Sequence, residues 1–214
     1  MFTGLVEAMG EVTAAAATST GRRLEIDPGS WGHRPDPGAS IAVSGCCLTV
    51  VEVVDDRFVF DVVHRTLEMT ILGGLTPGDR VNLEKSATLE TLLGGHLVQG
   101  HVDGVGTIHE IDEGDDWRVR IDAPADVAPH LVDRGSITVD GVSLTVARVL
   151  PAGDGRDHSA AAFEVALIPE TLARTTLAAR RPGDRVNLEA DAMSKMIAAH
   201  VERLLAARAG GGTR

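Results

Sequence analysis

The chain has 214 residues, of which 43% are hydrophobic and only 3% aromatic, and its formal net charge is -11 with an isoelectric point near 5.1. Nucleic acid would repel an acidic chain that has no cluster of lysine or arginine, so a nucleic-acid-binding function is not expected. No run of about 18 apolar residues and no basic leader ahead of an apolar run is present, which predicts a cytoplasmic protein rather than a membrane-spanning or exported one.

Most of the sequence occurs in two related copies. GCCLTV at residues 45–50 corresponds to GVSLTV at residues 141–146, and PGDRVNLE at residues 77–84 recurs unchanged at residues 182–189. The offset between the copies grows from 96 to 105 residues, so we assign the extra residues to a surface loop at 152–162, which is rich in Gly, Asp and Ala. A repeat of this kind predicts two structural units of the same fold.

Alternating apolar and β-branched segments predict six short strands in each copy. Examples are LTVVEVV and FVFDVV in the first copy and LTVARVL and FEVALI in the second, with turns at the PGD and DG sequences. Short helices are expected at residues 66–72 and 171–177, each with its first threonine as the N-cap. Because closure removes open sheet edges, the predicted fold is all-β, with two tandem six-stranded antiparallel, Greek-key-like barrels.

A helix is predicted after the second copy, where apolar residues recur at spacings of three and four from Met193 to Leu205. Asp191 or Ser194 can cap this helix, and the glycines at 210–212 end it. Its apolar stripe either packs on its own barrel or joins subunits. The predicted domains are therefore an N-terminal barrel at 1–90, a C-terminal barrel at 91–189 and a candidate oligomerisation helix at 190–209.

Small polar side chains mark one strand face in each copy. Alternation places Cys47 and Thr49 on one face, with Cys46 and Leu48 on the other, and Ser143 and Thr145 occupy the matching positions of the second copy. A largely apolar pocket with a few convergent hydroxyls suits an uncharged heterocycle that carries a polyol, although ordinary strand residues are the simpler interpretation of either motif alone.

The copies differ where reactive side chains occur. Leu5, Ser44 and Cys47 of the first copy correspond to His101, Asp140 and Ser143 of the second. A histidine can exchange a proton near neutral pH, which makes His101 the better acid/base candidate, whereas an unactivated cysteine is a weak nucleophile. Cys46 and Cys47 are adjacent, so they cannot form a disulfide framework.

Other site types have weaker support. His96 and His101 lack a third ligand at suitable spacing, so no metal site is expected. The glycines at 100–106 lack the strand, loop and long helix of a dinucleotide site. A hydrolase triad of Ser143, His101 and Asp140 lacks the G-x-S-x-G motif.

Five segments, taken together, resemble the riboflavin synthase family: MFTGLVE at 1–7, GCCLTV at 45–50, GGHLVQGHV at 94–102, DGVSLTV at 140–146 and LIPETLARTTL at 167–177. The resemblance implies a cofactor-free transferase, in which two molecules of 6,7-dimethyl-8-ribityllumazine exchange a four-carbon unit to give riboflavin and 5-amino-6-ribitylamino-uracil. It also implies a homotrimer joined through C-terminal helices, with each active site between the first barrel of one subunit and the second barrel of its neighbour. Association with other riboflavin-pathway enzymes is left open.

The resemblance also implies the site residues. The first-barrel pocket would use Gly4, Leu5, Val6, Ser40, Cys47, Thr49, Asp61, Val62, Val63 and Thr66. The second would use Gly100, His101, Val102, Asp140, Ser143, Thr145, Ile168 and Thr171. Their neighbours are expected to contribute further substrate contacts, namely Leu48, His64, Arg65, Leu144, Pro169, Glu170, Leu172 and Ala173. Phe2 and Thr3 would close over the site, and Arg134 would contact the ligand.

The catalytic roles implied by the resemblance fall to five residues. His101 is assigned to proton transfer, and Cys47, or a water that it orients, is assigned to addition at C7. Ser143 and Asp140 would hold and polarise the facing ring, and Thr145 completes the catalytic set.

Two other functions stay open beside the enzyme. The first is a non-catalytic lumazine- or flavin-binding protein of the antenna type, which needs only one good pocket. Retention of the whole polar set favours the enzyme, because polar side chains cost free energy to bury unless they are used. The second is a duplicated barrel that binds partners through its C-terminal helix.

Overall fold

The computed structural model of the chain describes residues 1–114, 116–151 and 162–210. Most of the predicted loop at 152–162 and the last two of the predicted helix-ending glycines lie outside the described residues. Among the described helices, none combines the length and the apolar character needed to cross a lipid bilayer.

Each copy forms a closed barrel. The strands of the first barrel are β1 (Ala8–Thr18), β2 (Gly21–Asp27), β3 (Ser40–Val43), β4 (Cys46–Val54), β5 (Arg57–Val63) and β6 (Arg80–Lys85). Those of the second are β7 (Gly104–Asp112), β8 (Trp117–Asp122), β9 (Ser136–Val139), β10 (Val142–Leu150), β11 (Ala162–Leu167) and β12 (Arg185–Ala190). The strand order around the first barrel is β1-β2-β5-β4-β3-β6, and the equivalent strands follow the same order in the second. The prediction of two six-stranded antiparallel barrels is confirmed.

Irregularities of strand pairing recur at equivalent positions of the two barrels. The register shifts after Val12 in β1 and after Val50 in β4, and it shifts after Ile108 in β7 and after Val146 in β10. A β-bulge bends its strand and increases the local twist, which helps a short sheet to close. The duplication therefore extends to the devices that close each barrel.

The short helices begin earlier than predicted. They are α1 (His64–Met69) and α2 (Pro169–Arg174), and neither has a side-chain N-cap. Pro169 is suited to the first turn of α2, because an N–H at that position has no partner within the helix. The capping threonines are instead Thr70 and Thr175, which accept hydrogen bonds from Leu72 N and Leu177 N at the following 3-10 turns. The predicted caps at the first threonines were therefore wrong.

Two buried asparagines join the barrels by reciprocal hydrogen bonds. Asn82 donates to the Asp140 carbonyl and accepts from Thr176 N, and both distances are 2.8 Å. Asn187 makes the equivalent pair with the Ser44 carbonyl and Ile71 N, also at 2.8 Å. The arrangement relates the barrels by an approximate two-fold axis and fixes their relative position.

The C-terminal helix, α3 (Ala192–Gly210), projects from the second barrel. Asp191 caps it by accepting from Met193 N at 2.6 Å and Ser194 N at 3.3 Å, and Lys195 is paired with Asp103 at 2.8 Å. Its apolar stripe is exposed at Met193, Met196, Ile197, Val201, Leu204 and Leu205. This exposure excludes packing of the stripe on its own barrel. The alternative in which this stripe meets another subunit remains.

Candidate functional site

Two chain segments each bring a glycine to a strand of the opposite barrel, Gly4 to Ser143 of β10 and Gly100 to Cys47 of β4. We call these two places the Ser143 mouth, or second-barrel mouth, and the Cys47 mouth, or first-barrel mouth. The carbonyl of Gly4 accepts a hydrogen bond from Ser143 N at 2.8 Å, and the carbonyl of Gly100 accepts one from Cys47 N at 2.9 Å. Both glycines have positive φ, and a Cβ on either would lie within 2.6 Å of the Cβ of Ser143 or Cys47. Glycine is therefore required at both positions, by backbone conformation and by space.

The pairing of these segments with the two pockets corrects the expectation from sequence. Gly4 to Val6 were assigned to the pocket of Cys47, and Gly100 to Val102 to that of Ser143, but the structure exchanges them. Val6 packs against the core of the second barrel and Val102 against that of the first. Alignment of the copies showed which positions are equivalent, whereas each segment crosses to the other barrel.

Two buried carboxylates hold the crossing segments. Glu84 accepts from Thr3 N at 2.6 Å, from the Thr3 hydroxyl at 2.7 Å and from Gly4 N at 3.0 Å. Glu189 accepts from Gln99 N at 2.7 Å and from the N–H groups of Gly100 and His101 at 2.9 Å. Burial raises the pKa of both carboxyls, and the hydrogen bonds oppose this shift. The sequence signal was the repeated PGDRVNLE, whose final glutamate was not identified as part of a site.

A cavity of about 340 Å³ opens beside Ser143. It lies between the segment Gly4–Val6 and α2, and several of the predicted site residues line it, namely Gly4, Leu5, Val6, Ser143, Glu170 and Thr171. Its volume falls within the range of small-molecule sites in proteins. Ile168, which precedes α2, is exposed, as are Pro169 and Ala173 within it, whereas Leu172 packs partly on the core of the second barrel.

His96, to which the sequence assigned no role, contacts Ser143. His96 Nδ1 lies 2.7 Å from Ser143 Oγ, and His96 Nε2 lies 3.3 Å from Thr138 Oγ1. Burial lowers the pKa of His96, although the negative charge of Asp191 opposes the shift. A neutral imidazole hydrogen-bonded to Ser143 is therefore part of the second-barrel mouth.

The Cys47 mouth is built on outward-facing positions of β4. Cys47 is half-buried and Thr49 is exposed, whereas Cys46 and Leu48 are buried in the barrel core, so the predicted alternation is confirmed. Burial raises the pKa of the Cys46 thiol to about 12, which leaves Cys47 as the accessible cysteine. The crossing segment places His101 beside this mouth with an exposed side chain.

Three predicted contact residues are unable to offer their side chains to a ligand. Leu48, Val62 and Leu144 lie in the barrel cores, where their side chains are at most 8% exposed. They are the inward-facing neighbours of site residues in alternating strands. The prediction of substrate contact can therefore hold for these three only through backbone atoms.

Asp140 lies inside the contact between the barrels. Its side chain is fully buried, with one carboxylate oxygen 2.6 Å from an Arg180 guanidinium nitrogen and the other accepting from Asn187 N at 2.8 Å. Burial raises the pKa of this carboxyl, and the Arg180 charge opposes the shift. Contrary to the expected contact with the ring, Asp140 stabilises the turn that precedes Ser143.

The second residue of the chain, Phe2, packs beside Cys47. Phe2 is fully buried and pairs with Val98 through two backbone hydrogen bonds of 2.7 and 3.1 Å. Its ring belongs to a small cluster with Ala42 and Val98, against which Cys47 packs. Phe2 is therefore packed against Cys47, while Thr3 is buried on Glu84, so in the single chain neither residue forms the predicted cover.

The remaining predicted residues are more dispersed. Asp61 is engaged with Arg23 through hydrogen bonds of 2.8 and 2.9 Å, and the backbone carbonyl of Ser40 accepts from the Ser86 hydroxyl. Exposed positions at the outer surface are Val63, His64, Arg65, Arg134 and Thr145, while Thr66 is half-buried in α1. A single chain therefore leaves these residues open to solvent or to another subunit.

A larger cavity, of about 670 Å³, lies elsewhere, between the barrels. Residues at equivalent positions of the two copies line it, including Asp79 with Asp184 and Arg80 with Arg185, and Leu172 is the predicted site residue that reaches it. The residues that line this cavity include no cysteine, serine or histidine. Among the described residues, no cluster of His, Cys, Asp and Glu is placed to hold a metal ion.

The sequence was compared with protein families and with curated proteins, and both comparisons find related proteins. The lumazine binding domain family matches residues 3–86 and 99–191. Riboflavin synthase of Mycobacterium tuberculosis (strain ATCC 25618 / H37Rv) is 48% identical over 207 residues, which cover 96% of this chain and 98% of that protein. Riboflavin synthase of Escherichia coli (strain K12) is 36% identical over 213 residues, covering 97% of this chain and 95% of that protein.

Solved structures of LumP with bound ligands share this fold. The structure of LumP complexed with 6,7-dimethyl-8-(1'-D-ribityl) lumazine aligns with a TM-score of 0.72 and 26% identity, covering 88% of this chain and 98% of that one. LumP complexed with flavin mononucleotide aligns with a TM-score of 0.71 and 25% identity, covering 88% of this chain and 99% of that one. From its two matched domains and its close relatives, the chain belongs to the riboflavin synthase family.

Proposed function

We propose that this protein is a riboflavin synthase, a transferase that converts two molecules of 6,7-dimethyl-8-ribityllumazine into riboflavin and 5-amino-6-ribitylamino-uracil. The observation that carries the proposal is the presence, in a chain 48% identical to a riboflavin synthase, of two related mouths with unlike reactive groups. One mouth has Cys47 with His101, and the other has Ser143 with His96. Two copies of one substrate can therefore be treated differently.

The main catalytic contribution is proximity. Holding two rings face to face replaces a rare encounter in solution, and effective molarities for well-oriented groups can contribute about 7 to 11 kcal/mol. The C7 methyl of a lumazine is acidic because its carbanion is delocalised into the ring, so a modest base is sufficient. His101 would transfer this proton, and Cys47, or a water that it orients, would add at C7 of the other ring.

The proposed active assembly is a homotrimer. Each chain carries one mouth of each kind, and the exposed apolar stripe of α3 suits packing against the same helix of other copies. In the trimer, the first-barrel mouth of one subunit would face the second-barrel mouth of its neighbour. We further propose a cytoplasmic location and keep the domain division at 1–90, 91–189 and 190–209.

A direct assay tests the proposal. Purified protein is incubated with 6,7-dimethyl-8-ribityllumazine, and riboflavin is followed by absorbance, with one riboflavin expected for every two lumazines consumed. His101→Asn should lower turnover on the order of a hundredfold or more, with a smaller effect on substrate affinity. His109→Asn is the matched control, because His109 is half-exposed on β7 and paired with Asp122. Tight binding without turnover would instead favour an antenna-type protein, and absence of both would favour a partner-binding scaffold.

A further inference from the structure

The two mouths differ in what contacts their small polar residue. His96 Nδ1 lies 2.7 Å from the Ser143 hydroxyl. In the described part of the chain, no histidine is hydrogen-bonded to the Cys47 thiol, and Cys47 is positioned by its backbone N–H to Gly100. Ser143 therefore has a partner that can set the direction of its hydroxyl hydrogen.

The direction of the Ser143 hydroxyl hydrogen follows from the need to pair the buried donors around His96. Burial lowers the pKa of His96, so its ring is neutral near pH 7 and has one N–H donor and one acceptor nitrogen. Thr138 is 1% exposed, and within the described residues its hydroxyl contacts no acceptor other than His96 Nε2. If Nε2 carried the hydrogen, the Thr138 hydroxyl hydrogen would be buried without a partner, which is costly.

The alternative tautomer satisfies both ring nitrogens and the buried Thr138 hydroxyl. The Thr138 hydroxyl donates to Nε2, and Nδ1–H donates to Ser143 Oγ. The Ser143 hydroxyl hydrogen is then free, and it is the donor that remains for the cavity beside Gly4. A Ser143 fixed as a donor will bind an acceptor atom of a ligand ring and will stabilise negative charge that develops on it.

We propose that His96 is a positioning residue that holds Ser143 as a hydrogen-bond donor, so that the second-barrel cavity binds the lumazine that becomes the carbanion. The proposal rests on the proposed function and assigns its two mouths. The C7 methyl C–H bond breaks, its proton leaves to a base, and the electron pair is delocalised onto ring atoms, one of which accepts the hydrogen bond from Ser143. No oxidant or cofactor is involved in this step.

The other charged residues that line the cavity are paired. Glu7 lies on its wall, and its carboxylate is 3.0 Å from Lys85 Nζ. Glu170 and Arg174 of α2 lie on its wall and are paired with each other at 3.2 Å. Asp191, the N-cap of α3, is the charged group whose field acts on His96. Glu84 holds Thr3 and Gly4 at the opposite side. None of these groups takes the place of His96 as a hydrogen-bond partner of Ser143.

Two variants of His96 separate its two nitrogens. An Asn side chain places its amide where Nδ1 lies and can still donate to Ser143, whereas a Gln side chain places its amide near Nε2 and reaches Thr138 instead. The probe is 6,7-dimethyl-8-ribityllumazine, and the primary readout is a pH titration of the absorbance of the bound ligand, which reports its ionisation. Turnover is measured separately as kcat and KM.

We expect His96→Gln to weaken binding of the ionised ligand by up to about tenfold, which is less than the full effect of losing a hydrogen bond to a charged group because the Ser143 hydroxyl is kept but is no longer oriented. The variant should also lower kcat more than it raises KM. His96→Asn should retain most of both properties. Ser143→Ala removes the donor itself and should cause the larger loss, about ten- to hundredfold. Adding His96→Gln to it should cause little further change, because there is no longer a hydroxyl to orient. His109→Asn again serves as the control.

Several results would overturn the inference. One is a His96→Gln protein with the ligand ionisation and kcat of the unchanged chain, and another is equal loss in His96→Asn and His96→Gln. If the His96 variants fail to fold, an unchanged titration in Ser143→Ala is sufficient to reject it. The titration needs binding but not turnover, so bound lumazine without riboflavin formation would contradict the proposed function and still test the role of His96.

Discussion

Replacing Glu189 by Gln tests whether the crossing segment builds the Cys47 mouth. The carboxylate accepts three backbone N–H groups, two on one oxygen and one on the other. In its best orientation, Gln keeps an oxygen facing Gly100 and His101 and turns its amide NH₂ toward Gln99 N–H. One buried donor loses its acceptor, which costs about 1 to 3 kcal/mol.

A smaller effect opposes this loss. Burial raises the pKa of Glu189, which means that the folded protein bears a cost for its negative charge, and a neutral Gln avoids that cost. We therefore expect the free energy of unfolding at pH 7 to fall by about 1 to 2 kcal/mol. The same substitution at Glu84, whose three contacts hold Thr3 and Gly4, is the matched control and should cost a similar amount.

The functional effects of the pair should differ by mouth. Glu189→Gln loosens His101 beside Cys47, so we expect a lower kcat with little change in the ionisation of lumazine bound beside Ser143. Glu84→Gln loosens Gly4 at the other mouth and should alter that ionisation. Urea unfolding, steady-state kinetics and ligand titration measure these effects. If both variants changed the same mouth, or if neither changed function despite lost stability, the crossed arrangement would be refuted.

Four further predictions concern the interface, the cysteines, pH and the helix. Asn187→Ala leaves the Ser44 carbonyl and the Ile71 N–H unpaired between the barrels. It should therefore lower the free energy of unfolding, measured with denaturant, by about 2 to 4 kcal/mol. A loss below about 0.5 kcal/mol would contradict the role of Asn187 in joining the barrels. A thiol reagent should label one cysteine per native chain, because Cys46 is buried with its pKa raised to about 12, and mass spectrometry should find Cys47 modified. The raised pKa values of Glu84 and Glu189 mean that the folded state binds protons more tightly than the unfolded state. Their contribution to stability is therefore greatest below about pH 4.5 and is lost as the pH rises through their folded-state pKa values. The free energy of unfolding of the double Gln variant should depend less steeply on pH, and an unchanged slope would contradict the pKa shifts. Removal of residues 193–214 should abolish trimers in light scattering and reduce activity, whereas a fully active monomer would reject the intersubunit site.

The fold was predictable because its signals are local. Strict alternation in segments such as LTVVEVV and the repeated PGD turns define strands, and the three-and-four spacing from Met193 to Leu205 defines the C-terminal helix. The predicted start of α1 was wrong, because Thr66 and Thr70, four residues apart, offer two capping positions. The second of these caps the 3-10 turn rather than the helix.

The candidate site was only partly predictable, because its parts meet over long distances in sequence. Comparing the copies identified Cys47 and Ser143 as equivalent, but it gave no information on which segment contacts which strand. The hydrogen bond between His96 and Ser143 joins residues that are 47 positions apart, and no periodicity indicates it. Asp140 lies close to Ser143 in sequence, yet a left-handed backbone (φ 46°) directs the turn so that its carboxylate meets Arg180.

A crystal structure with a non-reacting analogue of 6,7-dimethyl-8-ribityllumazine tests the central claim most directly. The account predicts one ring beside Ser143 and Gly4 and a second ring beside Cys47 and Gly100, with the two rings facing each other across a contact between subunits. Analogue bound instead in the cavity between the barrels, beside Arg80 and Arg185, with both mouths empty, would contradict it.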